Sequence, residues 1–262
     1  MSRDLEGRVA VVTGGASGIG EACARDMAAR GARLVIADIN AELAQRVAAS
    51  LKDAIHARLD VTDTEETEAL AERITREAGP VDILVASAGV LQPPLPPEEL
   101  PMDLWDRVVA VDQRGVYVSN VAFGRRMARR GRGVIVNIAS VTSFRSTPLH
   151  AYGPAKAAVA AITAGLAAEW GRSGVRVNGI APGYVATPAL QAAIDDGKRD
   201  PAALMANSAF GRLVAVDEVA KACSFLVSDD ASGITGVTLP VDAGWLVATP
   251  WNTYGGVRPE RG

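Results

Sequence analysis

The chain has 262 residues, 48% hydrophobic and 22% charged, with a formal net charge of −3; that length and mixture suit one folded domain and exclude a charged, apolar-poor disordered chain. Slight acidity offers no field for a phosphate backbone or an anionic membrane, so neither nucleic acid nor membrane is expected as a partner, and the cluster Arg125, Arg126, Arg129, Arg130 and Arg132 is read as a helix end where cations suit the dipole. The two histidines, His56 and His150, and the two cysteines, Cys23 and Cys223, stand at no ligand or disulfide-framework spacing; no metal site is expected, and with no apolar leader in residues 1–6 the expected location is cytoplasmic.

From there, short β-branched runs alternate with Ala-rich stretches of helical period. Strand is predicted at 8–13, helix at 19–30, strand at 33–37 and helix at 41–51. Strand 55–59, helix 65–77 and strand 83–86 continue the rhythm. Residues 92–101, with five prolines in ten, cannot continue a helix or a central strand and are read as a surface loop. A long helix at 103–127 precedes strand 133–138, helix 152–171, strand 176–180, helix 216–227 and a last strand at 238–241. Strands that are apolar throughout, rather than alternating, belong in a sheet buried on both faces. The fold class is therefore α/β: a Rossmann-like doubly wound parallel β-sheet with helices on both faces, in a single domain over 1–245. The polar segment 189–210, broken by Gly197 and Pro201, lies where such a sheet can carry a flap over a ligand. A tail, 246–262, either docks through Trp251 and Tyr254 or frays.

Two constellations carry chemistry. Thr13-Gly14-Gly15-Ala16-Ser17-Gly18-Ile19-Gly20 follows the first strand and opens the first helix, so its glycines allow a tight turn and close approach of a pyrophosphate to the helix N-terminus. Asp38 ends the second strand, where an acid can bond the ribose hydroxyls of an adenine dinucleotide. A carboxylate there would repel a 2′-phosphate, and Ser17 and Ile39 supply no basic side chain to hold one, so NAD is expected over NADP. The second constellation is Tyr152-Gly153-Pro154-Ala155-Lys156, a phenol and an ammonium on one helix face, about 6 Å apart along its axis. Free tyrosine titrates at about 10, so service as a base near neutrality needs a nearby positive charge. Lys156 is one, and with no metal ligands an organic group must polarise the substrate oxygen.

Over almost its whole length the chain resembles the short-chain dehydrogenase/reductase family in its roughly 250-residue form. The resemblance rests on the glycine loop and the Tyr-x-x-x-Lys pair together with Asp60-Val61, Ser87-Ala88-Gly89, Asn137-Ile138-Ala139-Ser140, Asn178 with Pro182-Gly183 and Thr187, and Thr235-Gly236 with Val241-Asp242-Ala243-Gly244, in that order. It implies that Ser140 hydrogen-bonds the substrate oxygen, that Tyr152 exchanges the proton, and that Lys156 both lowers the tyrosine pKa and binds the nicotinamide ribose. Gly14, Ser17, Gly18, Ile19, Gly20, Asp38 and Ile39 would border the dinucleotide and Asp60 and Val61 the adenine. Ser87, Ala88 and Gly89 would flank the cofactor, and Val185 and Thr187, after Pro182 and Gly183, would hold the carboxamide. The sequence departs from the pattern twice: Asp112 stands where the family has an asparagine completing a tetrad, and Ser87 where asparagine precedes Ala-Gly. Asp112 accepts but, when ionised, cannot donate, and its charge is expected to raise the Lys156 pKa.

These features imply NAD-dependent interconversion of a secondary alcohol and a ketone, the substrate being a small polyol or sugar, since Gln191, Asp195, Asp196, Lys198 and Asn207 make the 189–210 segment polar. Reduction of a 3-ketoacyl thioester, steroid or other ketone is the alternative within the family. A non-catalytic NAD-binding regulatory protein is the alternative of another class. By family analogy the helices at 103–127 and 152–171 would form a homotetramer, or a dimer, through their apolar faces.

Overall fold

A computed structural model of the chain describes residues 4–258, so half of the start expected to carry no apolar leader, 1–3, and the end of the tail, 259–262, lie outside the described residues. Its first half builds β1 (Val9–Thr13), α1 (Gly18–Ala29), β2 (Arg33–Asp38), α2 (Ala41–Ala49), β3 (Ile55–Arg58), α3 (Thr64–Glu77) and β4 (Ile83–Ala86). Then come α4 (Met102–Val108), a π-helical stretch (Val109–Gly115), α5 (Val116–Arg130), β5 (Gly133–Ile138), α6 (Tyr152–Trp170) and β6 (Val175–Pro182). α7 (Pro188–Asp195), α8 (Pro201–Ala206), α9 (Val216–Val227), β7 (Thr238–Val241) and α10 (Trp245–Ala248) complete it. The seven strands form one sheet in the order β3-β2-β1-β4-β5-β6-β7, every neighbouring pair parallel.

The physical reason for the sandwich lies in the strand pleat. Ala10 and Val12 of β1 face a cluster with Cys23, Met27 and Leu226 from α1 and α9, while Val9 and Val11 face a second cluster with Leu70, Ile74 and Phe123 from α3 and α5. Both faces are apolar because both are covered. Cys23 and Cys223, two hundred positions apart, meet in the first cluster, where a hydrogen bond from one thiol to the other and their burial push Cys223 well above the usual thiol range. They are inert core residues.

The long helix expected at 103–127 is interrupted: seven π-helical residues separate α4 from α5. Gly115 closes that stretch, and a Cβ there would stand 2.7 Å from Val61 Cγ2, so the bulge brings backbone close to the strand ends. The arginine cluster is largely paired: Glu68 takes Arg125 and Arg126, and Asp82 takes Arg130 at 3.0 Å and Arg132 at 3.5 Å. Among the described residues no helix is long and apolar enough to cross a membrane. The tail is held by neither of the two aromatics expected: Ala248 is buried and Asn252 bonds Asn207, whereas Trp251 and Tyr254 are exposed; Trp245, just before it, is buried edge-on to Tyr184.

Candidate active site

The carboxyl ends of the strands open into a cleft of about 370 Å³. Its floor is the turn from β1 to α1. Gly14 and Gly18 there have φ of +65° and +53°, which disfavours any residue with a Cβ. A Cβ on Gly14 would lie 2.6 Å from Ala88 Cα, and one on Gly20 only 2.1 Å from Gly14 O. The loop therefore packs backbone on backbone and leaves the first N–H groups of α1 facing the cleft, where Ser17, the N-cap, makes no side-chain cap. That is a cradle of the size and polarity a pyrophosphate needs.

Asp38 is oriented by the same loop: Oδ2 accepts from Ala16 N at 3.1 Å and Oδ1 from Asn40 N at 2.9 Å, leaving further lone pairs for a diol. Ile39 beside it is half exposed and lines the cleft. Asp60 and Val61 border the same cleft. Hydrogen bonds from the Thr62 N–H and hydroxyl hold the Asp60 carboxyl below the usual range. Ser87, Ala88 and Gly89 line the opposite wall with Thr187, which caps α7. Pro182, Gly183 and Val185 do not border the cleft: Pro182 and Val185 are buried, and Gly183 backs onto Asp242. The cleft wall also includes Ile138, from the motif that ends in Ser140, and Arg107 and Val111, which no motif in the sequence singles out.

At the inner end stand the groups with proton chemistry. Lys156 Nζ lies 5.4 Å from the centroid of the Tyr152 ring, and the Ser140 side chain, which does not itself border the cleft, is near enough to the phenol to oppose the rise in its pKa. Ser140 heads a short turn whose Ser143 hydroxyl donates to Lys156 O at 2.7 Å, clasping that turn against α6. Behind it a buried network, Asn120 Nδ2 to Asn137 Oδ1 at 2.7 Å and Asn137 Nδ2 to Thr163 Oγ1 at 3.0 Å, fixes the end of β5 between α5 and α6.

Asp112 sits on the π-helical stretch, fully buried. Its Oδ1 accepts from Val90 N at 2.8 Å, and its Oδ2 is 3.2 Å from Lys156 Nζ, which also donates to Ile138 O at 3.1 Å. Burial opposes the ammonium, but Asp112 and Tyr152 outweigh it and hold the Lys156 pKa above the usual lysine value. For Tyr152, burial raises the pKa; Lys156 opposes it, Asp112 adds to it, and Ser140 opposes it weakly. The net direction is upward, so the resting phenol is protonated. Among the described residues no group of three or more His, Cys, Asp or Glu could hold a metal ion.

A glycine cradle, a strand-end acid and a Tyr-Lys pair at one cleft, with Ser140 near the phenol, suit a dinucleotide oxidoreductase, and comparison with known proteins decides the kind. Residues 14–246 match the family model described as enoyl-(acyl carrier protein) reductase. The chain is 43% identical over 250 residues to the cis-4-hydroxycyclohexanecarboxylate dehydrogenase of Sinomonas cyclohexanicum, spanning 94% of this chain and 99% of that one. This chain belongs to the short-chain dehydrogenase/reductase family. A second member, the D-threitol dehydrogenase of Mycolicibacterium smegmatis, is 41% identical over 93% of this chain and 94% of its own. A crystal structure described as ribose-5-phosphate isomerase from Brucella melitensis 16M superposes with a TM-score of 0.95 at 48% identity, covering 98% of this chain and 100% of that one. The reaction class is the interconversion of a secondary alcohol and a ketone, with a nicotinamide cofactor.

Proposed function

We propose that the protein oxidises a small polyol or cyclic secondary alcohol with NAD, in the cytoplasm, using Tyr152 as general acid and base. The observation that carries this is the Tyr152–Lys156 pair lining the same cleft as Asp38, with the Ser140 side chain near the phenol. Gly14, Ser17, Gly18, Ile19 and Gly20 would hold the pyrophosphate, Asp38 the ribose diol, and Asp60 with Val61 the adenine. Lys156 would hold the second ribose, and Thr187, the residue of its motif that borders the cleft, the carboxamide. When bound, the nicotinamide accepts or returns a hydride. Ser140 donates to the substrate oxygen and polarises it; Tyr152 takes the alcohol proton or returns it to the ketone; Lys156 steadies the phenolate, itself kept charged by Asp112. Because Tyr152 is protonated at neutrality, alcohol oxidation should accelerate with rising pH.

NAD over NADP follows from Asp38, whose anchored carboxylate would repel a 2′-phosphate. A small alcohol is favoured by relatives named for threitol and hydroxycyclohexanecarboxylate; of the 189–210 segment only Ala189 borders the cleft, and the polar side chains expected there pair among themselves or with the tail at the surface. A panel of D-threitol, galactitol, cis-4-hydroxycyclohexanecarboxylate and β-ketoacyl thioesters with NAD and NADP, read at 340 nm, is the test. NADH formation from at least one of these alcohols, lost in Tyr152→Phe while NAD still binds, is expected; activity confined to NADPH and ketoacyl thioesters would overturn it. The description of the Brucella melitensis protein favours a second reading, sugar-phosphate isomerisation, which leaves the cradle and Asp38 without a use. Ribose 5-phosphate incubated without nicotinamide should therefore yield no ketose. The exposed small residues of α6, among them Ala157, Ala161, Ala164 and Gly165, support assembly of two or four copies through that helix.

A further inference from the structure

The helix that begins with Tyr152 is tied at its first turn to a residue sixty positions upstream. First-turn N–H groups of a helix have no partner inside it, and α6 starts with no side chain able to supply one, its N-cap being Ala151. Gln92 supplies it from the loop after β4: its Oε1 accepts from Ala151 N at 2.8 Å and from Tyr152 N at 3.1 Å. Gln92 opens the proline-rich segment expected to be a surface loop, yet it is 4% exposed. Bonds made there do not compete with bulk water, which strengthens them.

Two further observations tie Gln92 to the chemistry rather than to packing alone. Its Nε2 is buried with no hydrogen-bond partner among the described residues, an arrangement that disfavours the side chain and persists only because the two bonds at Oε1 hold it. And the same loop reaches the lysine: Val90 N donates to Asp112 Oδ1, and Asp112 faces Lys156. Residues 89–92 thus bridge the counter-ion of Lys156 at one end and the backbone amide of Tyr152 at the other. A serine or aspartate at position 151 would cap the helix locally. A cap borne by this loop instead couples the stance of the phenol to the wall of the cofactor cleft.

We infer that Gln92 is a positioning residue for proton transfer: through Oε1 it sets where the first turn of α6 holds the Tyr152 phenol relative to Ser140 and Lys156. This rests on Tyr152 being the proton-exchanging group. The charged groups facing the phenol are Lys156, on its own helix, and Asp112, on the π-helical stretch; a carboxylate at position 92 would be a third.

Three variants test the idea: Gln92→Leu removes the acceptor, Gln92→Asn shortens it by one methylene, and Gln92→Glu keeps it while adding charge. Hydrogen exchange over residues 149–155 reads the cap without any substrate, and kcat against pH for the alcohols of the panel reads its effect on chemistry, with NADH affinity and circular dichroism confirming a folded cleft. In Gln92→Leu, or in Gln92→Asn should the first not fold, exchange is expected to quicken at least about tenfold and kcat to fall by about tenfold to a hundredfold, the scale set by a misplaced catalytic group. KM for NAD should stay within about twofold, because the pyrophosphate cradle is untouched. Gln92→Glu should restore the exchange protection and most of kcat, with the rise in rate moved to higher pH. Unchanged exchange in Gln92→Leu, or no recovery in Gln92→Glu, would overturn the inference whatever Tyr152 does; turnover that survives Tyr152→Phe would instead sink the proton-transfer assignment itself.

Discussion

Asp112 is the residue where this chain parts from its family's tetrad, and the geometry says what the change does. An uncharged amide at this position could still accept from Val90 N, but it would leave the buried Lys156 ammonium without its counter-charge. The carboxylate also bears on Tyr152, adding to the upward pressure of burial. Asp112→Asn is therefore expected to lower the Tyr152 pKa, and the acid limb of kcat/KM for alcohol oxidation should move down by about one pH unit. An unmoved limb would mean that Asp112 does not act on the phenol. At this scale the sequence singles out Ser140, Tyr152, Lys156 and Asp112, and the structure sets Lys156 between the Tyr152 ring and Asp112, because short motifs at strand ends and i,i+4 pairs on a helix carry their own geometry. Gln92 was illegible, since a glutamine among prolines carries no pattern; only its burial and its two acceptor bonds give it meaning.

Among the elements, the strands and most helices stand within a few residues of their expected places, while the continuous helix at 103–127 does not. Its side-chain periodicity runs on through a π-helical register, so hydrophobic spacing cannot reveal the extra residue; the bulge is stabilised by contacts with other elements, Gly115 against Val61 and Asp112 against Val90 and Lys156. The start of α9 offers a test of local electrostatics. Glu218 accepts from Ala215 N at 2.8 Å and pairs with Arg212 at 2.7 Å, and these contacts, the arginine first, lower its pKa to about 2. A carboxyl depressed in the folded state contributes stability above its unfolded pKa, near 4.5, and loses that contribution as pH falls toward about 2. Glu218→Gln should accordingly lower Tm at pH 7, with the gap from wild type narrowing steadily between pH 4.5 and pH 2. A gap that stays constant through this range would mean that the pair contributes nothing through its charge. The pair is solvent-exposed, so the effect should be small and weaken with salt.

For the whole molecule, the exposed face of α6 is a row of Ala157, Ala161, Ala164 and Gly165, small enough for a second helix to approach closely. Ala161→Arg is expected to reduce the mass seen by light scattering to that of the monomer while leaving NAD binding intact; an unchanged mass would exclude α6 from the interface. The core invites a plainer check. Phe123, 1% exposed between α5 and the sheet, should cost about 3–5 kcal/mol in urea unfolding when replaced by alanine. The two scales of information separate cleanly here. Alternating apolar strands and helices, a glycine turn ahead of a helix and an acid at the next strand end determine a parallel sheet, a dinucleotide cradle and a Tyr-Lys pair from the sequence alone, because each depends on local spacing and on backbone geometry that spacing dictates. What only the tertiary structure decided are the partnerships between segments far apart in the chain: Asp112 with Lys156, Gln92 with the amides of α6, Cys23 with Cys223 and Glu68 with the arginines of α5. These arise from closing long loops around a shared core, and no local pattern records which ends will meet.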